Sequence, residues 1–265
     1  MELHVQGGPV EPFLGAQDLF STEYDLDRPV TVRVRDDPDE RTRVIHSEDG
    51  HLLTISRQAA TSAMARELAL HEFAHMHHHE RGHPSHTQST EEAIYLALAG
   101  RSVEQRKLTH CYQIANHMRD VYADDVWMAM APGDKLVPFL EASLAAAVAD
   151  RPADPPGWDH VTPTTPRDRG PDEPTARLTP AADPEITAVN AAFALALCER
   201  HDLVDDDHRL YDLAHAAAAD AEGISLGEFK RHFASLSPDP DASEFRKALV
   251  DVTRAYATSG TKAAD

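Results

Sequence analysis

Residues 71–75 read His-Glu-Phe-Ala-His. In a helix, two imidazoles four positions apart lie one turn apart on the same face, so both can reach one Zn2+ at about 2.0–2.1 Å. The carboxylate of Glu72 then lies beside the metal and can take a proton from a water that the metal has acidified. With His71 and His75 as ligands, Glu72 as general base and Zn2+ as cofactor, the pattern describes metal-assisted hydrolysis. A peptide or protein is the expected substrate.

A catalytic zinc keeps three protein ligands and one open position, so a third ligand must come from elsewhere in the chain. Glu91 and Glu92 follow His75 by sixteen and seventeen residues. Ser89-Thr90-Glu91-Glu92 also has the Ser-x-x-Glu form of a helix start, which accounts for Glu92 without a metal. The stronger candidates lie in a second helical stretch, where Asn116, Asp120 and Asp124 are spaced by four beside Ile114, Met118 and Val121. Carboxylates at the margin of a buried face are costly unless paired or metal-bound, which singles out Asp120 and Asp124 alike, with a solvated helix edge as the plainer alternative for each. Tyr122 and His117 are candidates for steadying an oxyanion. Seven histidines lie between His71 and His86. His78 and His79 share the face of His71 and His75 and could extend the site. The plainer reading of His77, His78, His79, His83 and His86 is a solvated helix end near the negative pole of the helix dipole.

His71-Glu72-x-x-His75 followed by Asn116-x-x-x-Asp120 resembles the zincin-like metallopeptidases often associated with von Willebrand A-type domains. That resemblance implies Asp120 as the third metal ligand, Asn116 as a residue supporting it, and peptide hydrolysis as the activity. Arg119 stands where some of those families carry an acidic residue. The chain as a whole resembles an uncharacterised haloarchaeal protein family.

The elements that must position these residues follow from hydrophobic period and turn signals. The first sixty residues read as loop and strand: Pro29 to Val34 alternates apolar and polar positions, and Arg43–Ser47 and His51–Ser56 flank the turn Glu48-Asp49-Gly50. From about Gln58 the pattern turns helical and ends near Glu80, before Gly82. Further helices are expected over Ala93 to Ala99, Val103 to Met130 and Lys135 to Asp150. Nine of the eighteen prolines fall between Arg151 and Pro184, so that stretch reads as a linker. Beyond it, Ile186 to His201, Arg209 to Ala221, Leu226 to Leu236 and Ser243 to Thr258 read as amphipathic helices. His201-Asp202 is read as a helix C-terminus, and Asp220 to Glu228 as a helix-loop-helix turn rather than half an EF-hand. The expected fold is mainly α (α+β). It comprises a zincin-like domain over residues 1–150 with a small N-terminal antiparallel sheet, a linker over 151–184 and a small helical module over 185–265.

Forty-five acidic against twenty-five basic side chains give a net charge of −20. A surface of that sign repels phosphate and argues against binding to nucleic acid or an anionic membrane. The five lysines and abundant Asp suit a halophilic archaeon. Two distant cysteines, Cys111 and Cys198, imply reduced thiols. The residues Met1 to Gly8 lack a signal-peptide pattern, so a cytoplasmic location is expected. Two rival readings stand beside the hydrolase: a non-catalytic adaptor with a structural or lost metal, and a metal store or sensor built on the histidine-rich helix.

Overall fold

The alternation around Val30 becomes a strand in which Val30, Val32 and Val34 are buried and Arg35 is exposed, as in a sheet with one packed face. The computed structural model describes residues 1–149 and 183–259, so the expected linker lies outside the described residues except for Asp183 and Pro184. Strands β1 (Leu3–Gln6), β2 (Val30–Arg35), β3 (Arg43–Ser47) and β4 (Gly50–Ser56) form a sheet of order β1-β2-β4-β3. The β3–β4 hairpin is antiparallel, but β1 and β4 both pair parallel with β2. The sheet is therefore mixed, and the expectation of an antiparallel one is corrected. Parallel pairing of β1 with β2 needs a crossover connection, and this runs through helix α1 (Glu11–Phe20), in a stretch read as loop from the sequence. Its apolar positions Phe13, Ala16 and Phe20 have a helical period, but the helix is only ten residues long and carries Gly15 at its centre, which blurs the signal.

One face of the sheet packs on α1 and on α3 (Ala65–Glu80): Val30, Val32, Leu53 and Ile55 meet Phe13 and Phe20 from one helix and Leu70, Phe73 and Met76 from the other. Helix α3 begins later than its sequence pattern suggested. After β4 the chain makes one separate turn, α2 (Arg57–Ala60), capped by the Ser56 hydroxyl accepting from Ala59 N at 3.1 Å. At the far end of α3, Gly82 takes φ 66°, and His83 N bonds His78 O at 2.9 Å. This left-handed closure sends the short helix α4 (Pro84–Thr87) back toward α3 and α6.

After α5 (Thr90–Leu98) comes α6 (Gln105–Met130), a helix of 26 residues and about 39 Å. Its C-terminal part gives Ala123, Val126 and Trp127 to the sheet core. Its middle gives Ile114, Ala115, Met118 and Val121 to a second core built with α8 (Pro184–Arg200), α10 (Leu226–Ala234) and α11 (Ala242–Thr258). A third cluster joins α7 (Leu136–Ala149), α8 and α9 (Arg209–Ala218). The helices expected as a separate C-terminal module thus share a core with the helix that carries Asp120. Each fully buried large side chain contributes about 1.5–3 kcal/mol, so α6 is held firmly against α3 on one side and α8 on the other. Arg200 adds a forked contact to Asp125, 2.6 Å to each oxygen, and bonds Leu236 O at 2.7 Å. His201 caps α8, and Asp202 sits at φ 52°, as a helix C-terminus requires. Cys111 and Cys198 are buried and unbridged. Among the described residues no helix is long and apolar enough to cross a membrane.

Candidate metal centre

Helix α3 turns its apolar face, with Leu70 and Phe73, to the sheet, which leaves His71 and His75 on the side facing α6. The Nε2 atoms of His71 and His75 are 2.9 Å apart. Asp120 Oδ1, arriving from α6, is 3.3 Å from His75 Nε2 and 3.8 Å from His71 Nε2. Tetrahedral zinc ligands at bond lengths of about 2.0–2.1 Å lie roughly 3.3 Å from one another, so these three atoms fit a single zinc. The three residues proposed as ligands from the sequence are brought together in one cluster.

The far side of each ligand is also engaged. His71 Nδ1 donates to Asp124 Oδ1 at 2.8 Å, and the same oxygen accepts from Trp127 Nε1 at 2.7 Å. Carboxylate backing of this kind fixes the ring and directs Nε2 toward the other two ligand atoms. Asp124, an alternative ligand from the sequence, therefore stands behind His71. Asn116, given the supporting role by resemblance, is exposed and makes no hydrogen bond to Asp120 among the described residues. Asp120 Oδ2 is instead met by His117 Nδ1 at 3.4 Å, while His117 Nε2 bonds Asn190 Oδ1 at 2.9 Å and its ring stacks on Phe193, centroids 4.3 Å apart. His117, anchored by Asn190 and Phe193 of α8, thus supports the ligand Asp120 on its own helix and is not aimed at an oxyanion. Tyr122 packs against His83 and Phe245 and does not line the cleft described below, so neither oxyanion candidate is placed for that work. Glu91 and Glu92 are exposed; Ser89 Oγ accepts from Glu92 N at 3.1 Å, and Glu92 lies 3.8 Å from Arg246.

Charge at the site is balanced against burial. Burial works to lower the pKa of His71, but the charge and hydrogen bond of Asp124, then Asp120 and Glu72, raise it to about 10. Without metal, His71 holds a proton that an arriving ion must displace. Burial pushes the Asp120 carboxyl up, yet the hydrogen bond from His117 and the neighbouring imidazoles of His75 and His71 hold it well below the usual carboxylate range. Glu72 is raised, chiefly by burial and further by Asp120, against the pull of His71 and His75. Its carboxylate makes no hydrogen bond among the described residues.

Beside His71 and Asp120 opens a cleft of about 460 Å3, walled mainly by Leu68, Trp127, Leu136, Phe139, Phe193 and Leu197, with the buried Glu67 also on its lining. Phe193 and Leu197 come from α8, so the C-terminal helices complete the cleft wall.

His78, His79, His83 and His86 are engaged, which corrects the reading of a solvated helix end for these four, while His77 keeps an exposed contact of 3.3 Å to Asp25 O. His86 Nε2 is 2.8 Å from His75 Nδ1 and His78 Nε2 bonds Tyr122 O at 3.1 Å. His79 stacks on His46, centroids 3.8 Å apart, and His46 Nδ1 lies 2.8 Å from His51 Nδ1. Burial holds His86 far below the usual imidazole range and His78 at about 4. The support of His75 by His86 was missed from the sequence, since only the turn at Gly82 brings the two together. Asn190 and Phe193 were missed too, because they lie beyond the linker.

A second cluster of possible ligands joins His110 of α6 to Asp183 and Glu185 at the start of α8. Here cations already occupy the carboxylates: Arg106 bonds Asp183, and bonds Glu185 at 3.1 Å, while Lys107 lies 3.7 Å from Glu185. Tyr256 OH donates to Glu185 at 3.0 Å.

No curated protein and no solved structure matches the chain. A sequence profile does match nearly its whole length, residues 1–258, and by that match the chain belongs to the Family of unknown function (DUF5781).

Proposed function

We propose that this chain is a zinc-dependent hydrolase acting on amide bonds of peptides, with zinc held by His71, His75 and Asp120. The reading is carried by the convergence of two Nε2 atoms and one carboxylate oxygen on a common point, beside an unengaged Glu72 and at the edge of an apolar cleft. Zinc bound there would acidify a water and polarise a scissile carbonyl. Glu72, its carboxyl pushed up by burial, is suited to take a proton and hand it on near neutral pH. Asp124 and His117 hold the ligands in register, and the walls around Phe139, Phe193 and Leu136 accept an apolar side chain next to the reacting bond.

The experiment compares wild type with Glu72→Gln for bound zinc and for cleavage of a peptide library enriched in Leu and Phe. One zinc per chain in both proteins, with cleavage only by wild type, supports the enzyme. Zinc without cleavage by either protein returns the non-catalytic adaptor, and clearly more than one zinc per chain returns the metal store.

A further inference from the structure

Three hydrogen bonds lead from His75 away from the metal point, and only one direction of donation satisfies all of them. His75 Nδ1 is 2.8 Å from His86 Nε2, His86 Nδ1 is 2.8 Å from Ser85 Oγ, and Ser85 Oγ is 2.7 Å from His83 Nδ1. A neutral imidazole has one N–H and one lone pair, and a serine hydroxyl has one proton. The chain can therefore run outward from His75 or inward from His83. The backbone decides, because Ser85 N–H donates to His83 Nδ1 at 3.3 Å and so requires a lone pair on that nitrogen. In an inward chain Ser85 would give its only proton to His86, leaving two lone pairs face to face at 2.7 Å. Ser85 therefore donates to His83 and accepts from His86 Nδ1–H. His86 Nε2 in turn accepts from His75 Nδ1–H, and the lone pair of His75 falls on Nε2, facing His71 and Asp120.

We propose that Ser85 is a positioning residue for the metal centre, setting the tautomer of His75 through His86. His71 needs no such device, because the carboxylate behind it can only accept. His75 is backed by another imidazole, which can donate or accept, so its tautomer is undetermined until something further along the chain breaks the tie. Ser85 can do so because its position is fixed. It is fully buried, and Arg119 pins its segment to α6 through bonds to Ser85 O at 3.0 Å and Thr90 Oγ1 at 2.6 Å. The consequence for metal affinity rests on the zinc reading above; the tautomer assignment does not.

Nitrogen-15 correlation spectra of the zinc-free protein read the tautomers directly, and competition with a chromophoric chelator reads zinc affinity for wild type, S85A and S85T, with thermal melts as the check on folding. Wild type is expected to carry its proton on Nδ1 in His75 and His86 and on Nε2 in His83. S85A is expected to show mixed tautomers at His75 and His86 and to bind zinc about tenfold more weakly, the low end of what outer hydrogen bonds to metal ligands contribute. S85T, which keeps the hydroxyl, should retain the wild-type pattern. A wild-type His75 protonated on Nε2 overturns the proposal, as does a folded S85A with unchanged tautomers and affinity. If wild type shows the expected tautomers but takes up no zinc, the tautomer assignment stands and the metal centre falls.

Discussion

Two clusters in this fold place a histidine and carboxylates within reach of one another, and they differ in what already neutralises them. At His110, Asp183 and Glu185 the guanidinium of Arg106 and the ammonium of Lys107 are in place, so the carboxylates have partners and an incoming ion would have to displace a cation. At His71, His75 and Asp120 no lysine or arginine among the described residues makes an ion pair with a ligand; Arg119 feels the charge of Asp120, but its guanidinium is engaged with Ser85 O and Thr90 Oγ1, and the outer atoms of the ligands are met by Asp124, His86 and His117. Distance alone does not separate the two, since both satisfy the same geometric limit. What separates them is the sign of the neighbours.

The largest effect that tests this difference comes from deleting one oxygen charge in each cluster. Asp120→Asn is expected to weaken zinc binding more than about 100-fold, since even outer hydrogen bonds to metal ligands are worth 10–100-fold. Asp183→Asn should leave zinc binding as in wild type. Competition with a chelator measures both, and equal losses would erase the distinction.

A smaller effect uses histidines that belong to neither cluster. Burial first, and then neighbouring charges, brings His46 down to about 4, and burial brings His78 to about 4 as well. The folded chain thus prefers these rings neutral, whereas the unfolded chain protonates them near the ordinary imidazole value of 6.5. Stability present above about pH 6.5 is therefore lost as pH falls toward 4, by up to about 1.4 kcal/mol per pH unit for each ring. Thermal melts should show Tm falling between pH 7 and pH 5 in wild type and in Asp120→Asn alike. A flat Tm over that range would show that burial does not hold these rings neutral.

These contrasts also mark how far the sequence could be read. The helical period around His71 to His75 and the four-residue spacing of Asn116, Asp120 and Asp124 are local signals, and both stretches are helices that face each other. The β3–β4 hairpin was legible from its turn residues, and the capping role of Ser89 from its spacing to Glu92. Parallel pairing of β1 with β2 was not, because it depends on a crossover through the short, glycine-containing α1. The choice between Asp120 and Asp124 was open in the sequence because the two residues lie one helical turn apart; what divides their roles is the indole of Trp127 and the ring of His71 meeting the same oxygen of Asp124. Nothing in the sequence separates His86 from its neighbours either, since its contact with His75 depends on how Gly82 reverses the chain.

The most discriminating test is also the smallest in free energy. In the Asp120→Asn background the first site is disabled, so any remaining zinc must bind elsewhere. If resident cations are what keep metal out of the second cluster, Asp120→Asn alone takes up no zinc, whereas Asp120→Asn with Arg106→Met takes up one ion at His110, Asp183 and Glu185. Removing Arg106 leaves Glu185 with Lys107 at 3.7 Å and Tyr256 OH at 3.0 Å, and Asp183 with His110 at 3.6 Å. Its side chain is 35% exposed, so the loss is discounted for solvent screening to about 1–2 kcal/mol, a drop in Tm of roughly 2–8 °C. Zinc should then restore part of that stability in the double variant and none in Asp120→Asn, because only an ion that binds the folded state raises Tm. Zinc uptake by Asp120→Asn with Arg106 intact would show that the guanidinium does not exclude metal, and the contrast between the clusters would have to rest on ligand direction alone.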